Sequence, residues 1–86
     1  MNWLLFVEHE RKKYRVFADL IMADKEKEQY RITTRSKSIV IQSNRPLLRN
    51  KGLKHKKPIW KVVEGESKSP YLLDKVIEAL MKEIDK

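Results

Sequence analysis

Tyr30-Arg31-Ile32-Thr33-Thr34-Arg35, then Ser36-Lys37-Ser38, then Ile39-Val40-Ile41-Gln42 is the stretch on which the fold turns. In the first run Tyr30 and Ile32 fall on one side of an extended chain, and Arg31, Thr33 and Arg35 on the other. The second run is β-branched, which suits a pleated surface. A short polar turn between two such runs predicts an antiparallel hairpin.

Working outward toward the start, Asp24-Lys25-Glu26-Lys27-Glu28 reads as a charged turn. Before it, Tyr14, Val16, Ala18, Leu20 and Met22 alternate as a strand requires, although Tyr14, Phe17, Ala18 and Ile21 also fit helical spacing. The front-loaded Tyr, Val and Phe favour a strand over Tyr14–Ala23. Trp3 to Glu8 reads as a further short strand, followed by the polar run Glu8-His9-Glu10-Arg11-Lys12-Lys13.

Working outward toward the end, Asn44-Arg45-Pro46 breaks the sheet, because proline lacks the ladder donor. A basic loop is expected over 44–58, with Gly52 supplying a positive φ. Ile59-Trp60-Lys61-Val62-Val63 reads as one more strand, and Glu64-Gly65-Glu66-Ser67-Lys68 as a turn. Ser69 then offers an N-cap and Pro70 a first-turn proline. Leu73, Val76, Ile77, Leu80 and Ile84 recur at helical spacing, predicting an amphipathic helix over 70–85. Leu72, Ala79 and Met81 widen its apolar arc to about 200°. That exceeds what one sheet face needs. The surplus is left for Leu47, Leu48 and Leu53 or for a second copy of the chain. The sum is one α+β domain over 1–86. An antiparallel meander of four or five strands within 3–63 carries one C-terminal helix on one face.

The chain has 86 residues, 41% apolar and 37% charged, and no Cys. That excludes a disulfide scaffold and a Cys-based zinc site, and it supports a small core over disorder. Trp3–Val7, the longest early apolar run, is far short of the roughly 20 residues that span a bilayer. No membrane association and a cytoplasmic location are the expectations.

Charge is segregated. Of 20 Lys+Arg, ten lie between Arg31 and Val63, where there is no acid; the rest of the chain holds all 12 Asp+Glu. Mixed signs are usual for a surface that only confers solubility, so a single-sign segment suggests a field aimed at an anion. Nucleic acid uses such a field through counterion release and, when single-stranded, through base stacking on aromatic side chains. The candidate contacts are Arg31, Arg35, Arg45, Arg49, Lys51, Lys54, Lys56, Lys57 and Lys61 for phosphates, with Trp60 and Phe17 for bases. If the helix covers one sheet face, the other presents Arg15, Phe17, Arg31 and Arg35 together. Some have a plainer reading too: Trp60, like Trp3, as a core anchor, and Arg45 and Arg49 as cover for a carboxylate on the helix.

Catalytic signals are missing from the sequence. His9 and His55 have no partner at metal-ligand spacing and read as solvated loop or edge residues. Consecutive strand residues alternate faces, so Glu8 and Glu10 are not expected to flank the His9 imidazole. No GxSxG, HExxH, P-loop or GxGxxG pattern occurs. A non-enzymatic binding domain without cofactor or metal is expected. The terminal helix holds Lys75, Lys82 and Lys86 against four acids from Asp74 on, which does not suit major-groove reading or a membrane surface. The competing expectation is a protein-interaction module, in which the wide apolar helix face joins two copies into a homodimer or docks an acidic protein partner, and the basic loop only gives orientation.

Strands followed by a C-terminal helix over most of the chain resemble the β-β-β-β-α unit of PUR-type and Whirly-type single-strand-binding proteins. The resemblance implies a curved antiparallel sheet, helices that help form a dimer, and single-stranded nucleic acid as ligand. It carries no diagnostic motif and therefore no site residue, and the strand around Trp60 and the proline-containing loop depart from it. The run Asn44 to Lys54 resembles small bacterial proteins without assigned function and implies none.

Overall fold

The computed structural model describes residues 1–35, 37–53, 55–67 and 69–85. Five strands, β1 (Asn2–His9), β2 (Lys12–Ala23), β3 (Glu28–Thr33), β4 (Ser38–Ser43) and β5 (Trp60–Glu64), form one antiparallel sheet in the order β1-β2-β3-β4-β5. Helix α1 (Arg45–Asn50) links β4 to β5, and helix α2 (Pro70–Ile84) follows β5. The α+β meander with a C-terminal helix is therefore what the chain adopts.

Alternation sorts the side chains. Leu5 and Val7 of β1, Val16 and Ala18 of β2, Tyr30 and Ile32 of β3, and Ile41 of β4 point inward and join Val76 and Leu80 of α2 in the core. Trp3, Tyr30 and Trp60 form an aromatic row across this inner face, with ring centroids 5.9 and 5.8 Å apart. Leu72, Leu73, Ile77, Ala79 and Ile84 also pack against the core. Much of the wide apolar arc of α2 is thus used within the chain, which weakens its case as a dimer face. Ser69 caps α2 as expected, its hydroxyl accepting from the Leu72 N–H at 3.3 Å.

Several local details differ from the sequence reading. The polar run after β1 is a two-residue hairpin turn: Glu10 (φ 51°) and Arg11 (φ 66°) are both left-handed, as this turn type demands. Ile21 is an extra residue where the β2–β3 register shifts between Leu20 and Met22. The expected loop over 44–58 begins instead as α1. Pro46, read as a strand breaker, occupies the first turn of this helix, where a missing N–H costs nothing. Glu28, assigned to a turn, is the first residue of β3 and is buried. Arg35 lies beyond the end of β3, in the turn closed by Thr34 N–H donating to Lys37 O at 2.8 Å. Gly52 does adopt the positive φ expected of it, at 71°.

Candidate nucleic-acid interface

With α2 on the inner face, the opposite face of the sheet is left open. Register and alternation place Leu4 and Phe6 of β1, Arg15 and Phe17 of β2, Arg31 of β3, Gln42 of β4 and Lys61 of β5 on it. Leu4 stands opposite Phe17, and Phe6 opposite Arg15. Facing pairs of this kind hold their Cβ atoms about 5 Å apart. Phe6 is 72% exposed, Phe17 48% and Leu4 44%. An apolar, aromatic patch is therefore uncovered, with a guanidinium set into it. Toward the middle of the sheet Arg31 is flanked in register by Asp19 on one side and by buried Val40 on the other.

The β1–β2 hairpin extends beyond β3, whose pairing with β2 begins only at Phe17–Thr33. Beneath this overhang, between the β3–β4 turn and the start of α2, lies a cleft of about 1030 Å³. Its apolar wall includes Tyr14, Phe17, Ile32, Ile39 and Leu73; Lys13, Arg15, Arg35 and Lys37 also line it, against the single carboxylate of Glu66. Phe17 and Arg15 belong to both the open face and this cleft, so the two are one continuous surface.

The central basic segment does not stay together. Arg35 and Lys37 line the cleft at one end of the sheet, and Arg31 and Lys61 lie on the open face. Arg49 lies in the last turn of α1, and Lys51, Lys56 and Lys57 follow it, exposed, in the connection to β5 at the opposite end. Lys54 lies outside the described residues. Among the described residues these cations therefore do not form one coherent patch; they form two basic ends, joined along the open face.

Two of the expected contacts are withdrawn. Arg45 is turned inward: its Nη1 donates to Glu28 Oε1 at 2.8 Å and its Nη2 to Asp85 Oδ1 at 2.6 Å. Burial works against its charge, but the two carboxylates outweigh that and raise its pKa further. Ser43 Oγ donates to the same Glu28 oxygen at 3.0 Å. This cluster ties β3, β4, α1 and the end of α2, and a phosphate would have to displace two carboxylates to use Arg45. Trp60 also points inward, because it pairs with Ser43 on the core side of β4. It packs against Tyr30, and its indole N–H is buried without a hydrogen-bond acceptor among the described residues. It is a core anchor. Tyr30 itself titrates well above the ordinary phenol range, chiefly through burial and secondarily through the Glu28 charge.

Sequence reasoning left Lys13, Lys37, Phe6 and Leu4 out of the site. The signal for Phe6 was present: in a strand whose Leu5 and Val7 face the core, Phe6 must face away. His9 is an edge residue, the last of β1, as one of the two expectations had it, but it is not solvated. Its side chain is largely covered, Nδ1 has no partner among the described residues, and Nε2 lies 3.8 Å from Glu10 Oε1. The hairpin turn brings Glu10 back toward the ring, which an extended chain would not do. His55 is exposed.

No family model, curated protein or solved structure matches the chain. Among the described residues no helix is long and apolar enough to cross a membrane.

Proposed function

We propose that this chain is a non-enzymatic binding domain for single-stranded nucleic acid, which lies along the open sheet face and enters the cleft beneath the β1–β2 hairpin. The observation that carries the reading is the uncovered Phe6–Phe17 patch with Arg15 set between open face and cleft. Rings on an open sheet offer bases a stacking surface, worth about 1–3 kcal/mol per base. Lys13, Arg15, Arg31, Arg35 and Lys37 stand beside them for phosphates. A duplex offers no free base faces, so the exposed rings favour a single strand. The resemblance to the β-β-β-β-α unit of PUR-type and Whirly-type proteins, from which α1 and β5 depart, suggests the same ligand class by analogy of topology alone.

The test is a fluorescence-anisotropy titration of labelled single-stranded DNA and RNA oligomers at several salt concentrations. Log affinity should fall linearly with log salt, by about 0.7 per phosphate contact. Arg15→Gln should lower both affinity and slope. Absence of binding to every oligomer at low salt would refute the reading.

A further inference from the structure

The two edges of the sheet are not alike. β5 is a poor edge for further pairing: it has five residues, carries Lys61 and Glu64, follows Pro58, and its pairing with β4 is irregular at Val40/Ile41. Proteins commonly blunt exposed edges in these ways. β1 has none of them along most of its length. It has eight residues, no proline and no bulge, and Asn2 to Val7 carry no charged side chain.

Hydrogen-bond phase fixes which backbone groups this edge offers. Leu20 N–H donates to Met1 O at 2.9 Å. In an antiparallel pair the bonding alternates along the strand, so odd-numbered residues of β1 bond β2. The N–H and C=O of Asn2, Leu4, Phe6 and Glu8 then point away from the sheet. Lys75 Nζ confirms this phase by donating to Glu8 O from outside, at 3.2 Å.

We propose that a second copy of this chain pairs with the β1 edge, antiparallel and across a two-fold axis at Leu5, to give one continuous ten-stranded sheet. In that register Leu4 of each copy bonds Phe6 of the other, and Asn2 bonds Glu8. The sequence is self-complementary there: each exposed Leu meets an exposed Phe on the open face. The flank of α2 fits as well. A recess of about 380 Å³ between the β1 edge and α2 is bordered by Lys75, Glu78, Ala79 and Lys82. Small Ala79 sits near the middle, so an antiparallel neighbour approaches closely and sets lysines of one copy toward Glu78 of the other. Glu8 O keeps a second lone pair for the Asn2 N–H of the copy. The pairing surface meets the broad apolar helix arc only at its Ala79 flank; most of that arc is already occupied by the core. It stands independently of nucleic-acid binding, because the proposed dimer forms without it.

Sedimentation equilibrium of the full chain, without nucleic acid, across the micromolar range tests this. A reversible dimer of twice 10.3 kDa is expected. Leu4→Pro removes an outward N–H while sparing the β1–β2 ladder, and should weaken the dimer at least roughly tenfold with the circular-dichroism spectrum retained. Glu78→Lys should weaken it as well, and adding Lys82→Glu should restore it. If Leu4→Pro does not fold, the charge-reversal pair decides. A monomer at every concentration, or a dimer indifferent to the variants that fold, overturns the proposal.

Discussion

Arg45 and Glu28 meet at 2.8 Å with their side chains only 11% and 8% exposed, and Asp85 closes on the same guanidinium from the end of α2. Removing one member of a covered pair leaves the other charge without compensation. Arg45→Met should therefore cost about 3 kcal/mol of stability, read from urea unfolding. Oligomer affinity measured on the folded fraction should be unchanged. A stable variant with weakened binding would return Arg45 to the interface.

Phe17 and Trp60 should separate function from packing. Phe17→Ala should lower affinity for a single strand by roughly 5- to 150-fold, the equivalent of one stacked base, with little change in stability. Trp60→Ala should do the reverse and destabilise by about 3 kcal/mol, as large aromatic deletions in a core do. Paired titration and denaturation curves for both variants check this. Equal behaviour of the two would reject the assignment of faces.

The two glycines differ in what surrounds them. At Gly65 (φ 84°) an added Cβ would lie 3.0 Å from Ile39 Cγ2 and 3.1 Å from Ser38 O, whereas at Gly52 (φ 71°) nothing lies within 4 Å. Gly52→Ala should cost about 1 kcal/mol for the left-handed backbone alone. Gly65→Ala should cost clearly more, at least about 2 kcal/mol, because backbone cannot give way. Thermal midpoints of the two variants rank them directly.

Asp24 holds the β2–β3 turn by accepting from the backbone N–H groups of Glu26 and Lys27, each at 2.8 Å. These bonds, the one from Glu26 foremost, lower its pKa from the ordinary 3.8. A carboxylate with a depressed folded pKa adds stability that is complete above its ordinary pKa and lost as pH falls through the folded one. The stability gap between wild type and Asp24→Asn should therefore be constant above 3.8 and close at lower pH. A gap that does not depend on pH would show that the charge contributes nothing.

The architecture was legible where alternation or helical spacing spoke without competition: the Ser69-capped helix is as read, and so is the Tyr30 to Gln42 hairpin except at its turn, which takes in Thr34 and Arg35 and releases Ser38 to β4. Helix α1 was not, because a six-residue helix gives too few turns for a periodic signal and Pro46 suits a break or a helix start equally well. Glu28 was hidden because a charged residue at a turn border looks solvated until its partner, 17 positions away, is known. The site was half legible. Arg15, Phe17 and Arg31 follow from face alternation, but the division of the basic segment between two ends depends on where β4 turns into α1, a tertiary fact.

Because the strands lie in chain order, each can join the sheet as soon as it leaves the ribosome. The inner side of the first strand is the exception: Leu5 and Val7 share the core with Val76 and Leu80 of α2, which follows all five strands in the chain. A nascent chain thus carries an unsheltered apolar surface until α2 has emerged, which makes chaperone capture and proteolysis during translation the hazards this topology faces.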